Sequence, residues 1–403
     1  MKKIIKQFDI ILSVPCAVVL FLIGFANIYL PDSVVFYDNK NEITLYEVFT
    51  VKETENTLMS VSTTGTEKTS ADVSLFGVIP VATLNAEKGE RKYVDVSGDI
   101  IGIRLYTDGL LIVGIEDVVT SDGRCNPALD CGLQTGDIIT QINDENVMTV
   151  SDFSRVINNS AGNSVSITAI RNNKNLYFSL TPVYCDSEQK YRCGLWLKDS
   201  TAGIGTMTFI DSETGTFAAL GHAICDNDTQ AVLNVGGGDI LTASVTGITK
   251  GEKGVTGQIM GTFSDKVLGE LLANNEFGVY GTYDRTDELD GEIMPVATQT
   301  EIKAGDAQIL CNVDGNGIKI YDIEIEKISY SADKQSRSMI VEIIDDELLA
   351  TTGGIVQGMS GSPVIQDGML VGAITHVFLN DPTKGYAIFA ETMVDTVENL
   401  EVK

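Results

Sequence analysis

Thirty-nine glycines set among short β-branched runs constrain this chain more than any other feature. Glycine tolerates the backbone angles of tight turns, so such a texture predicts many short strands and argues against a helical bundle. With 43% hydrophobic and 21% charged residues there is ample apolar surface to offset chain entropy, and the chain folds. At 403 residues, two folded domains plus extra segments are expected, at roughly one domain per ~150 residues. Twenty-eight basic against 56 acidic residues give a net charge of −28, which excludes nucleic acid as a partner because phosphate backbones would be repelled. Only two histidines exist, His222 and His376, so a histidine-rich metal site is excluded and neither metal nor cofactor is expected.

Ile10 to Leu30 is uncharged and apolar, long enough to cross a ~30 Å hydrocarbon layer as a helix, and Lys2, Lys3 and Lys6 precede it. The expectation is an anchor in the lipid bilayer within residues 1–31, with a cytoplasmic N-terminus and an extracytoplasmic bulk. A cleaved signal peptide is the rival; the stretch exceeds an ordinary signal core, and no Ala-x-Ala site precedes Pro31-Asp32. Six cysteines follow the anchor, where Cys125/Cys131, Cys185/Cys193 and Cys225/Cys311 could bridge, against free buried thiols as the alternative.

Residues 32–97 are expected to form a stalk with at most one hairpin plus N-terminal strands, Ser62 to Ser70 being loosest. Residues 98–185 carry a more specific pattern. A strand near Ile101–Tyr106 leads to Gly109-Leu-Leu-Ile-Val-Gly, then to Pro127-Ala-Leu-Asp-Cys-Gly-Leu-Gln-Thr-Gly-Asp-Ile-Ile-Thr-Gln-Ile-Asn, a helical Val150–Ile157 and two closing strands. On Ala128, Gly132, Leu133, Gly136, Asp137, Ile139, Ile142 and Asn143 this resembles a PDZ domain. That resemblance implies that Gly109, Leu110, Leu111 and Ile112 form the loop whose N–H groups hold a peptide carboxylate while the peptide adds a strand.

Beyond Cys193 short glycine-punctuated strands dominate, as in Ala202–Ile210 and Ile318–Ile325, and predict a double β-barrel over residues 190–403. Within residues 190–403, Ser264 to Ala273 is the one stretch expected to be helical. Gly358-Met-Ser-Gly-Ser-Pro363 leaves room for a substrate carbonyl beside the backbone, and the N–H groups of Gly358 and Ser360 can converge on one point as an oxyanion hole. The motif resembles the Gly-x-Ser-Gly-x-Pro of chymotrypsin-like serine peptidases, with Ser362 where that group usually has glycine.

A serine nucleophile needs a base titrating near neutrality. His222, in Ala219-Leu-Gly-His-Ala-Ile, directly follows an apolar strand and precedes Ser360, and is the expected base. His376, in Ala373-Ile-Thr-His-Val-Phe, follows the nucleophile closely and is expected to line the substrate cleft. For the acid, chain order favours Asp345 over its neighbour Asp346, with Asp226 and Asp228 as further candidates.

Leu-Gly-His-Ala-Ile, Gly353-Gly-Ile-Val-Gln-Gly-Met-Ser-Gly-Ser-Pro-Val-Ile and Thr375-His-Val-Phe-Leu-Asn-Asp-Pro-Thr-Lys-Gly-Tyr, with the anchor and PDZ pattern before them, resemble the stage IV sporulation protein B peptidases. The resemblance implies His222, Ser360 and Asp345 as catalytic residues. It also implies export between the two spore membranes, self-cleavage in the N-terminal region, and cleavage of a membrane protein that restrains sigma-factor activation. A non-catalytic PDZ scaffold and a PDZ-containing quality-control protease are the competing readings; in the latter the PDZ follows the protease rather than preceding it.

Overall fold

Alternate residues of Gly305–Cys311, Lys319–Ile328 and Met339–Ile343 are buried, which rolls these strands into a barrel with one apolar face inward. The computed structural model describes residues 17–26, 28, 30, 31, 33–37, 41–45, 48–54, 60, 61, 67–172, 174–226, 231–233, 235–284, 291–330 and 336–400. The barrel is closed by Pro363–Gln366, Met369–Phe378 and Asp381–Phe389. Ile309, Ile323, Ile325, Met339, Val341, Val364, Ile374 and Ala387 fill it.

A second ring of strands returns on itself by a less local route. Ile100–Ile115 pairs with both Leu195–Asp211 and Val235–Thr249. Val235–Thr249 pairs with Gln258–Asn275, which pairs with Gly278–Tyr283; Thr216–Ala219 then joins that strand to Leu195–Asp211. The ring therefore takes in a strand from well before residue 190. That strand starts at Ile100, and the PDZ elements are inserted between it and Leu195–Asp211. The expected helix at Ser264–Ala273 is strand: Gly269 allows so close a pairing that a Cβ there would lie 2.0 Å from the Thr282 carbonyl oxygen. Its run of helix-favouring residues yields to tertiary pairing on both sides.

Both edges of the Ile100–Ile115 strand continue past the barrel into the PDZ region. There Ile138–Ile142, Val165–Arg171 and Lys174–Leu180 extend the same sheet, and helices Pro127–Cys131 and Val150–Asn159 cover Leu110, Ile112, Leu133, Ile139, Ile142 and Ile167. Asp137 of the Gly-Asp motif is buried and holds Arg171 through two contacts at 2.6 and 2.7 Å while accepting the N–H of Gln134. Its role is to fasten the turn before the Ile138 strand, since a buried carboxylate requires this degree of pairing.

The expected stalk is instead a folded sheet in the order Ser33–Phe36, Ile79–Lys88, Glu67–Leu75, Phe49–Glu53 and Glu42–Leu45. Val34, Phe36, Phe49, Val51, Val73 and Leu75 form its core, which also receives Ala26 from a helix at residues 17–26. Residues 62–66 of the piece expected to be loosest lie outside the described residues, as do residues 10–16 of the expected anchor. Among the described residues no helix is long and apolar enough to cross a membrane. The six described cysteines are free, so none of the three bridges forms. Burial pushes the thiols of Cys193 and Cys311 up to about 12, which leaves them protonated and inert.

Candidate active site

The strand Thr216–Ala219 is wholly buried and ends in two consecutive left-handed residues, Leu220 at φ 67° and Gly221 at φ 68°. A non-glycine residue in that region costs of order 1–3 kcal/mol and persists only where the surroundings impose it. The turn carries His222 out of the ring that contains Thr216–Ala219 and into a cavity of about 700 Å³, whose lining includes Ser360, Gly358, Gln357 and His376. The structure thus brings together the expected base, nucleophile, oxyanion glycine and cleft residue, although His222 and Ser360 belong to different barrels.

Ser360 lies on a loop gripped by Leu195–Asp211 of the ring that bears His222. Thr206 donates its N–H to the Ser360 carbonyl at 3.0 Å and its hydroxyl to the Gly358 carbonyl at 2.7 Å, and the Thr208 hydroxyl donates to the Gly361 carbonyl at 2.8 Å. Gly361, at φ 95°, sits so tightly that a Cβ would fall 2.1 Å from the Thr206 oxygen. With their carbonyls held in this way and Gly358 at φ 102°, Gly358 and Ser360 have N–H groups that meet no acceptor among the described residues. Two unsatisfied donors flanking a serine are what a developing oxyanion requires.

The Nδ1 of His222 lies 2.8 Å from the carbonyl oxygen of Ala223. A carbonyl can only accept, so Nδ1 carries the proton and Nε2 keeps the lone pair needed to remove a hydroxyl proton. Burial holds the His222 pKa below its ordinary value, against a smaller opposing effect of the Ala223 carbonyl. The Ser360 hydroxyl donates to the Thr375 carbonyl at 2.8 Å, and no hydrogen bond joins Ser360 to His222 among the described residues. His376 packs against His222 with ring centroids 4.7 Å apart and the rings tilted at 40°, and its own Nδ1 is buried without a partner among the described residues. Burial first, then the charges of His222 and Arg337, lower His376 to about 4.

Asp345 is not brought to the imidazole. Its carboxylate accepts the Leu348 N–H at 2.9 Å as the cap of helix Asp346–Thr352 and lies 3.5 Å from the Asp322 nitrogen. The adjoining Ile344 lines a separate cavity with Asp306 and Asp322. The expectation of Asp345 as the Nδ1 partner is corrected for this reason: an acidic residue ending a strand before a helix is first of all a cap. Asp346 is exposed in that helix, Asp228 lies outside the described residues, and Asp226 pairs with Lys198 at 3.1 Å. The position beside Nδ1 is taken by a backbone carbonyl.

The peptide-carboxylate loop is corrected as well. Gly109, Leu110, Leu111 and Ile112 are part of a continuous strand, with Leu110–Ile112 buried and both edges paired, to Ile138–Ile139 on one side and Leu197–Lys198 on the other. The Ile112 N–H donates to the Asp137 carbonyl and so is not offered to a ligand. Sequence reading missed Thr206, Thr208 and Thr375, which hold the serine loop. The signal was slight: two threonines alternating in a strand, and one directly before a histidine.

The family model of SpoIVB peptidase S55 matches residues 189–394, and that of the PDZ domain matches residues 126–171. No curated protein matches the chain. Among solved structures, the PDZ domain of the SdrC-like protein from Listeria monocytogenes is similar at 25% identity with a TM-score of 0.19, over 22% of this chain and 87% of that one. The Rv3671c protease from M. tuberculosis in its active form is 13% identical with a TM-score of 0.31, over 50% of this chain and 76% of that one. The HtrA-type protease AlgW with a decapeptide is 14% identical with a TM-score of 0.29, over 50% of this chain and 53% of that one.

Proposed function

Because the chain belongs to the SpoIVB peptidase S55 family and is a PDZ-containing serine peptidase, we propose that it is an endopeptidase in which Ser360 attacks and His222 is the base. The single observation that carries this assignment is the shared cavity: His222 and Ser360 line it from two barrels, beside the unsatisfied N–H groups of Gly358 and Ser360. In the reaction Ser360 leaves the Thr375 carbonyl, passes its proton to Nε2 of His222 and bonds to the scissile carbonyl carbon. The carbonyl oxygen takes the negative charge between the two N–H groups, and His222 returns the proton to the leaving amine. Water then repeats the sequence on the acyl-enzyme.

The finer reading is that the chain is held in a membrane by Ile10–Leu30, cleaves its own N-terminal region, and clips a membrane partner to release a late sigma factor during sporulation. Its support is the motif resemblance at 353–386 and the uncharged N-terminal stretch after three lysines. Labelling by a fluorophosphonate tests the chemistry: wild type is expected to label, and Ser360→Ala is not. N-terminal sequencing of products after self-incubation tests the self-cleavage, with one or a few discrete ends expected. Indiscriminate digestion of unfolded casein would favour quality control instead.

A further inference from the structure

We propose that Leu195–Asp199 is a built-in ligand of the PDZ domain, occupying the place of an added peptide strand and tethering the His222 loop through Lys198, so that a partner peptide acts by displacing it. This deepens the peptidase reading and rests on it for the consequence at the active site, though not for the occupancy itself.

The register carries the occupancy. Leu195, Trp196, Leu197 and Lys198 run antiparallel to Ile115, Gly114, Ile112 and Leu111, on the edge where strand addition would place a peptide. Alternate side chains point inward, as a strand requires: Leu195 and Leu197 pack on the PDZ core with Val150 and Val156 of helix Val150–Asn159, while Trp196 is 58% exposed. A carboxylate ends the segment. Asp199 accepts the N–H of Val150 at 2.9 Å, and its carbonyl accepts the Thr107 hydroxyl at 3.2 Å.

The same few residues reach the catalytic cavity. Lys198 is paired with Asp226, whose side chain is fully buried on the loop that follows His222, and Cys225 of that loop lines the cavity. Past Asp199 the strand continues without a loop into the barrel, where Thr201–Ile204 also line the cavity. The ladder slips between Trp196 and Leu197 and again between Lys198 and Ser200, so the segment is jointed at both ends of Leu197–Lys198 and can leave without unpairing Ser200–Thr206. Removing Lys198 from Asp226 exposes a buried charge to solvent or to another partner, which shifts the loop. In the described state the Ser360 hydroxyl is bonded to Thr375, away from His222. Displacement is therefore expected to activate.

Trp196 is the sole tryptophan, so its emission reports on this segment in the full chain without any label. The probe is the peptide Leu-Tyr-Leu-Lys-Asp with a free C-terminal carboxylate, which copies the segment without its tryptophan. Saturating peptide is expected to change wild-type Trp196 emission, and replacing Leu195 and Leu197 by alanine is expected to tighten peptide binding by ~10-fold or more, because less of the groove is self-occupied. Equal affinity in wild type and the double variant, or no emission change at any peptide concentration, would overturn the occupancy. Hydrolysis of a small ester should rise ~5-fold or more in wild type with saturating peptide, and should not respond in Lys198→Met. An equal rise in Lys198→Met would overturn the tether. Absence of ester hydrolysis under every condition would instead overturn the peptidase reading and leave the emission result standing.

Discussion

The two barrels of the peptidase differ in how they are closed, and the difference separates their tasks. The barrel that bears Ser360 is made of six strands taken from residues 305–389, each antiparallel to its neighbours, and the connection between Met339–Ile343 and Pro363–Gln366 carries helix Asp346–Thr352 and Ser360. The ring that bears His222 needs a strand starting at Ile100, then skips the inserted PDZ elements before resuming at Leu195. The nucleophile thus rests on a locally determined scaffold. The base rests on one that shares strands with the PDZ region, so the two are joined by continuous backbone.

The largest effect expected from this division is chemical. Ser360→Ala and His222→Ala should each reduce ester hydrolysis by a factor on the order of 10⁴ or more and to about the same residual rate, since the groups act as a unit. A His222→Ala protein that still hydrolyses ester at the wild-type rate would move the base to another residue. Next comes the seam between the barrels. Gly361→Ala puts a Cβ 2.1 Å from the Thr206 oxygen, and denaturant unfolding should show a loss of about 3 kcal/mol or more from strain and displaced strands. Thr206→Val leaves the buried Gly358 carbonyl without its hydroxyl partner, at a cost of about 1–3 kcal/mol, with a larger fall in turnover than in stability.

Acid should act on the cleft too. His376 is lowered to about 4 in the folded chain, against about 6.5 when unfolded. Between those values the unfolded state binds more protons, so stability is fully present above pH ~6.5 and declines as pH falls toward 4. His376→Gln should flatten that decline in a series of denaturant melts; an unchanged slope would mean that other groups control it. The lowered His222 likewise keeps the base neutral on the acid side of its ordinary range, so the acid limb of kcat/KM should lie below pH ~6.5.

Smaller effects sharpen the same contrast. Asp345→Ala should lower stability by about 1 kcal/mol through loss of a helix cap and change turnover only a few-fold. A 10⁴-fold loss would mean that the carboxylate reaches His222 during the reaction. Smallest of all, a reductant should leave Tm unchanged, because the six described cysteines are free.

How much of this was legible follows from how local each signal is. The serine motif and the Gly-Asp turn of the PDZ are short patterns in which each residue serves its immediate neighbours, and both were readable. His222 could be chosen because only one other histidine exists. Asp345 misled because a cap and a catalytic acid look alike in sequence; the choice depends on which N–H groups lie near it. Ser264–Ala273 misled because its residues favour helix while two neighbouring strands impose pairing.

Sequence alone determined the β texture, the acidic surface, the PDZ pattern and the chemical inventory of one Gly-x-Ser-Gly motif and two histidines, since composition and short spacing suffice for these. Tertiary structure decided where the ring closes, what fills the edge beside Gly109–Ile115, and which partner each carboxylate takes. Those outcomes depend on contacts between residues far apart in the chain, as when Lys198 meets Asp226 or Thr206 grips the loop of Ser360, and no local pattern encodes such distances.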